Sequence, residues 1–333
     1  IVDFKLHNRF KYHAAALQHA PNKDVVADMS LLAREATDGI ASFVLRHQPD
    51  LVVIVSAMSF HPDGLVLLRR LGTPTVVIFT ESPYNDEQQK AFAAVYPEMI
   101  CATNDAVTAD REGWVCLPPA FDPEVHRPVS PSPEFACDVF FVGTGWVERQ
   151  RALEAVDWSG VDVRLYGFWP GVTAASSLFR YMRWTPFGST LLSNEVVAHA
   201  YASAKINLNM HRSQGQPSDW DRVITPAKTK DAGASVNPRV MEIAACGGFL
   251  LTDYRPGLDE IFGKVTVPLF DSEVPGDLER QIRWWLAHDG ERQRVAQDMC
   301  KAVSDVMHHD TFDARVRVLD AEVDKRLSAQ AVA

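Results

Sequence analysis

No run in the 333-residue sequence is apolar for the ~18–20 residues that a membrane-spanning helix needs. No secretory leader stands out either. The opening IVDFKLHNRF carries charges where the apolar core of a signal peptide would lie, so a cytoplasmic protein is expected. Cysteine is sparse and scattered. Cys101, Cys116, Cys137, Cys246 and Cys300 form no C-x-x-C pair, which argues against a zinc site or a disulfide framework and for reduced, mostly buried thiols. An excess of positive charge is also missing. The net charge is −10 and both halves are acidic, which disfavours a broad grip on nucleic acid or an anionic membrane and leaves room for a local basic groove. No internal repeat is visible.

What the chain does have is the balance of a soluble globular protein, 47% hydrophobic and 23% charged, in a length that suggests two domains. Strand and helix signals alternate. DLVVIVS (50–56) and TPTVVIFTE (73–81) are apolar, β-branched runs of the kind covered on both faces, and PDGLVLLRRLG between them has helical spacing ending at Gly72. MICATN and WVCLPP follow as shorter strands. The proline-dense PPAFDPEVHRPVSPSPEF (118–135) reads as a stiff linker, after which the grammar restarts. CDVFFVGTG, VDVRLYG, KINLNM, GFLLTD and KVTVPLF read as strands. NEVVAHAYASA, NPRVMEIAAC and GLDEIFG read as helices between them, and the end of the chain is helical. The pattern predicts an α/β protein: two Rossmann-like domains facing across a cleft, at 1–120 and 135–310, joined by a linker at 121–134. A C-terminal helix at 311–333 is expected to pack back toward the first domain.

Ligands of open α/β sheets sit beyond the carboxyl ends of the strands, so residues just after strands are the candidates. In NPRVMEIAACGGFLLTDYRP, Asn237 suits a helix N-cap and Pro238 its first turn, leaving backbone N–H groups around Arg239, Val240 and Met241 for a phosphate. Arg239 adds charge there, and Glu242, a turn further in, could accept two hydrogen bonds from a ribose diol. Asp253 follows the next strand at the ligand edge. An ordinary capped helix with a surface salt bridge is the competing interpretation. In VGTGWVER, Gly143, Thr144 and Gly145 form a turn that lets backbone approach a diphosphate, with Arg149 a helical turn away. A dinucleotide fingerprint would have glycine where Glu148 stands and an acid where the next strand ends in Tyr166-Gly167, so NAD is disfavoured. In INLNMHR, Asn207 and Asn209 alternate onto one strand face, and His211 and Arg212 follow at its exit. Loop 213–236 is locally basic through Arg222, Lys228 and Lys230, and reads as a lid, an acceptor element or a disordered insertion. In the first half, Glu81 of TESPY could deprotonate an acceptor hydroxyl, with Asp105, Ser59 and His61 as rivals that also suit caps or turns.

NPRVMEIAACGGFLLTDYRPGLDEIF resembles the donor-binding signature of bacterial group-1 glycosyltransferases of the GT-B superfamily, and it is closest to the spore-maturation-protein-B-like branch. TESPY, LPPAFDPEVHRP, CDVFFVGTGWVERQ, LYG, INLNMHR and HDTFDARV fall in the family order. The resemblance implies a transferase whose second domain binds a nucleotide-activated sugar and whose first binds the acceptor. Glu242 then matches the ribose-binding glutamate, and Arg239 the diphosphate region. One position departs: Ala234 stands where many members carry a second glutamate.

The combined expectation is a metal-independent glycosyltransferase with a nucleoside-diphosphate sugar, a UDP-sugar first, as donor and no tightly bound cofactor. Glu81 and His211 are its catalytic candidates. No D-x-D motif ends a strand; Asp219 and Asp221 lie inside the long loop. The acceptor is left open among a saccharide, a small molecule, a protein and, less favoured, DNA. A nucleotide-sugar epimerase or hydrolase, and a non-catalytic nucleotide-sugar-binding protein, are the alternatives.

Overall fold

The structure, a computed structural model, describes residues 1–18, 29–105, 113–185, 189–212, 233–305 and 310–332. Its described residues divide into two compact units, 1–117 with 321–332, and 118–212 with 233–320.

The first unit opens with three helices, α1 (Leu6–Gln18), α2 (Met29–Thr37) and α3 (Ile40–His47). Then β1 (Val52–Val55), α4 (Pro62–Leu71), β2 (Thr75–Phe79), α5 (Asp86–Val95), β3 (Ile100–Thr103) and β4 (Val115–Cys116) alternate. The strands pair in parallel in the order β1-β2-β3-β4, with Ile54 opposite Val77 and Val77 opposite Cys101. Local chemistry sets α4. His61 caps it by accepting the Asp63 N–H at 3.2 Å, Pro62 starts it, and Gly72 ends it. Leu65, Leu68, Val77, Phe79 and Phe92 form the core under the sheet. One expectation fails here. The run 50–56 has the pattern of a strand covered on both faces, yet Val53 and Val55 are 46% and 61% exposed. β1 is the edge strand, and only its alternate side chains turn inward.

In the second unit the proline-dense segment is anchored rather than free, because Phe121 is fully buried in the unit's core. The elements β5 (Val139–Val142), α6 (Val147–Glu154), β6 (Val163–Tyr166), α7 (Asn194–Ser203), β7 (Ile206–Asn209), α8 (Arg239–Ala245), β8 (Leu250–Thr252), α9 (Gly257–Phe262), α10 (Asp277–Ala287), α11 (Asp289–Asp305) and α12 (Phe312–Val332) follow. The sheet order is β6-β5-β7-β8, all parallel, with Val139 between Val163 and Ile206. Phe140, Phe141, Leu165, Ile206, Leu208 and Met241 are closed off from solvent at the sheet, each aromatic or aliphatic side chain contributing about 1.5–3 kcal/mol by burial. KVTVPLF does not become a fifth strand. Only a bridge between Thr252 and Leu269 forms, because Pro268 has no N–H to continue the ladder. Helix α12 belongs to the second unit up to residue 320 and to the first beyond it, where Arg326 donates to the Gly113 carbonyl. Among the described residues no helix is long and apolar enough to cross a membrane.

Candidate functional site

Because β5–β8 run parallel, their carboxyl ends share one edge, and the second unit's candidates gather there. Gly143-Thr144-Gly145 follow β5, Tyr166-Gly167 close β6, His211 and Arg212 follow β7, Asp253 follows β8, and Arg239 opens α8. Two of these loops meet backbone to backbone. Gly167 has φ +109°, and a Cβ there would stand 2.1 Å from the Gly143 carbonyl oxygen. A Cβ on Gly143 would stand 2.5 Å from Nη2 of Arg239, so the missing side chain is what lets the guanidinium lie on the turn.

Arg239 is held at several points. Its Nη1 donates to Asn209 Oδ1 at 3.0 Å, and Asn209 Nδ2 donates to Thr252 Oγ1 at 2.9 Å. The Phe141 ring lies beneath two cations, with the guanidinium carbons of Arg239 and Arg149 at 5.4 and 5.8 Å from its centroid. Arg149 is buried and donates to the Thr144 carbonyl at 2.8 Å, which fixes the glycine turn. Arg212 lies 4.8 Å over the Trp146 ring, and buried Arg255 donates to the carbonyls of Arg212 and Gly233 at 2.8 and 3.0 Å. Among the described residues Arg239 makes no ion pair with a carboxylate. Arg149, Arg212 and Arg239 thus lie at or beside the glycine turn, with Arg255 a fourth guanidinium on the same edge.

Asp253 takes a different part. Its Oδ1 accepts both the backbone N–H and the ring Nδ1–H of His211, each at 2.8 Å. Burial alone would raise the Asp253 pKa, but the His211 hydrogen bonds and the Arg255 charge outweigh it and hold the carboxyl below the usual range. Burial, helped by the charges of Arg255 and Arg149, lowers His211 against the pull of Asp253. The ring is therefore neutral, with its proton on Nδ1 by this geometry and a bare acceptor at Nε2. That Nε2 is buried and has no partner among the described residues.

Three candidates sit differently from the sequence expectation. The Asn237 side chain does not cap α8: its Oδ1 is buried without a partner among the described residues. The N–H groups of Val240 and Met241, expected to be open, bond the carbonyls of Asn237 and Pro238 at 3.2 and 3.0 Å, because the chain enters the helix through a tight turn. The Val240 side chain is in the core. Asn207 shares a strand face with Asn209 but lies nearer the amino end, where its Nδ2 bonds the carbonyls of Tyr201 and Phe249 and ties α7 to the residue before β8. Glu242 is half-buried on α8, and among the described residues no donor meets its carboxylate. Burial and the Glu242 charge together push the neighbouring Cys246 thiol up to about 12. The Ala234 carbonyl accepts the Gly257 N–H at 2.8 Å. Asp219, Asp221, Arg222, Lys228 and Lys230 lie outside the described residues. Phe141, Trp146, Trp169 and Thr252 also build the edge. The aromatics flanking the glycines in FFVGTGW carried that signal.

In the first unit, Glu81 follows β2 and lines a cavity of 410 Å³. Of its rivals, His61 lines the same cavity while capping α4, Ser59 sits in the short turn Ala57–Ser59, and Asp105 is fully buried. Among the described residues no three His, Cys, Asp or Glu side chains converge as a metal site.

The family model described as glycosyl transferase-like matches residues 149–320, more than half of the chain. The chain belongs to that family and is a transferase acting in sugar transfer. Its α/β fold with parallel sheets matches solved GT-B glycosyltransferases. Sucrose-phosphate synthase from Thermosynechococcus elongatus aligns with TM-score 0.60 and 10% identity, over 94% of this chain and 82% of that one. HepE of Anabaena in complex with UDP-glucose aligns with TM-score 0.55 and 12% identity, over 89% and 82%. The α,α-trehalose 6-phosphate synthase of Burkholderia multivorans aligns with TM-score 0.56 and 12% identity, over 98% and 81%. No curated protein sequence matches the chain.

Proposed function

We propose that the second unit binds the nucleoside diphosphate of an activated sugar, a UDP-sugar first, and that the enzyme moves the sugar to an acceptor hydroxyl without a metal. The observation that carries this is Arg239. It is aimed by Asn209, seated on the Gly143 turn, and paired with no carboxylate among the described residues. A guanidinium held in place before the reaction stabilises the charge that develops on a departing diphosphate. The open carboxylate of Glu242 suits a ribose diol. The bare Nε2 of His211 accepts a hydrogen bond, so it suits a donor-sugar hydroxyl better than a phosphate oxygen. Glu81 is the proposed base for the acceptor hydroxyl. The UDP-glucose in the HepE complex supports the choice of a uridine nucleotide, and the resemblance to the spore-maturation-protein-B-like branch agrees with sugar transfer. Five free cysteines suit a reducing compartment, the cytoplasm.

The test is direct. The full chain is incubated in EDTA with radiolabelled UDP-glucose, or with the GDP- and dTDP-sugars, plus a mixed acceptor panel. Release of the nucleoside diphosphate together with a labelled product, both lost in Arg239→Ala, is the expected result. Activity that appears only on adding a divalent cation would remove the metal-independent reading. No release from any donor would remove the transfer reading.

A further inference from the structure

Asn209 and Thr252 stand opposite each other in the register of β7 and β8, and neither has exposed surface. Directly opposed residues of paired strands project to the same face. The two side chains meet there, Asn209 Nδ2 donating to Thr252 Oγ1 at 2.9 Å. On one side of this pair Arg239 Nη1 donates to Asn209 Oδ1 at 3.0 Å. On the other, Thr252 Oγ1 donates to the Asp253 carbonyl at 3.1 Å, while Asp253 Oδ1 holds His211 at 2.8 Å. A chain of hydrogen bonds therefore crosses the edge from the guanidinium to the imidazole.

The direction of every bond in the chain follows from its ends. A guanidinium only donates, so the atom of Asn209 that faces it is the amide oxygen. That turns Nδ2, which also only donates, toward Thr252, whose oxygen must accept. The Thr252 proton is left for the Asp253 carbonyl, a shorter contact than the 3.5 Å from Oγ1 to Asp253 Oδ1. Reversing the Asn209 amide would set donor against donor at Arg239. Asp253 and Arg239 carry opposite charges on one edge, and two neutral side chains stand between them. A carboxylate in the place of Asn209 would hold the guanidinium equally well but compensate its charge. The amide carbonyl directs it and leaves that charge for a ligand.

We infer that Asn209 and Thr252 are positioning residues for the diphosphate: Thr252 locks the amide of Asn209, and the locked, neutral amide aims Arg239 without neutralising it. The identity of the anion rests on the donor reading above; the locking of Arg239 does not.

The full chain is titrated by calorimetry with UDP, with inorganic pyrophosphate and, by saturation-transfer NMR, with uridine, which carries no phosphate. The guanidinium of Arg239 is followed by ¹⁵N NMR, assigned by its loss in Arg239→Lys. Asn209→Asp, nearly isosteric, should weaken UDP and pyrophosphate by about 10-fold or more and leave uridine within about 2-fold. Thr252→Val removes the acceptor of Nδ2 and keeps the shape. It should shift the Arg239 signals and weaken pyrophosphate several-fold, and Thr252→Ser should restore both. Should Asn209→Asp fail to fold, the Thr252 pair decides alone. Pyrophosphate bound by Asn209→Asp as tightly as by the wild type, a parallel loss of uridine and pyrophosphate, or Arg239 signals that Thr252→Val leaves unmoved would each overturn the inference. A wild type that binds neither UDP nor pyrophosphate removes the donor reading; the Arg239 signals in Thr252→Val and Thr252→Ser then decide the locking, which stands if they move and return and falls if they do not.

Discussion

The two units have the same four-stranded parallel grammar, yet the described residues at their carboxyl edges differ in character. At the edge of the second, Arg149, Arg212 and Arg239 lie at or beside a glycine turn and Arg255 lies on the same edge, and hydrogen bonds or aromatic rings hold each of them. At that of the first, an aromatic wall faces amides, hydroxyls and Glu81, and among the described residues no lysine or arginine lines the space. A parallel sheet supplies a place for a ligand. The residues appended to the strand ends choose its charge. The second edge is also the more tightly constructed, with two loops in backbone contact and a guanidinium resting on one of them.

The comparison can be broken most forcefully at that contact. Gly167→Ala places a Cβ 2.1 Å from the Gly143 carbonyl at a φ of +109°. It is expected to cost about 2–5 kcal/mol through strain and overpacking, read as a fall in the denaturation midpoint and loss of soluble protein. Next comes Arg239→Ala, expected to lower kcat/KM by about 10²–10³-fold, as for loss of one positioned charge-stabilising donor, with a much smaller change in melting. The corresponding change on the first edge, Glu81→Gln, should reduce turnover and leave UDP affinity unaltered. Equal loss of UDP affinity in both would erase the division of labour.

A smaller effect concerns acid. The folded-state pKa values of His211 and Asp253 are both depressed, so the unfolded chain binds more protons than the folded one. The His211 contribution is fully present above about pH 6.5 and is lost as the pH falls through its folded pKa; that of Asp253 goes at lower pH, below about 3.9. His211→Asn should flatten the stability profile between pH 7 and 5, measured by urea denaturation. The smallest effect belongs to the exposed pair Lys90–Glu87, where Lys90→Ala should change stability by less than about 0.5 kcal/mol.

Much of this was legible because strand and helix signals are local. Pro62 and Gly72 bracket α4 at the residues where the pattern starts and stops. The positions after strands were legible as a set, since parallel topology puts them on one edge. What local reading missed was partnership. Nothing in INLN distinguishes Asn207, which ties α7 to the residue before β8, from Asn209, which aims Arg239 thirty residues away. That distinction depends on how far along the strand each lies relative to its neighbours. Asn237 reads as a cap, but in the tight turn into α8 the Val240 and Met241 N–H groups bond the backbone carbonyls of Asn237 and Pro238 instead. The exposed side chains of β1 follow from its edge position, which only the strand order reveals.

The measurement that tests the central claim most directly is thermal unfolding of the full chain against UDP, GDP, dTDP, ADP and NAD, repeated in Arg239→Ala and Glu242→Ala. A ligand at ~100 times its Kd adds ~2.7 kcal/mol, enough to raise the midpoint by a few degrees. The account predicts that one nucleoside diphosphate, UDP first, raises the midpoint in the wild type and that both substitutions abolish the shift. A shift with NAD alone, or a UDP shift that survives both substitutions, would contradict it.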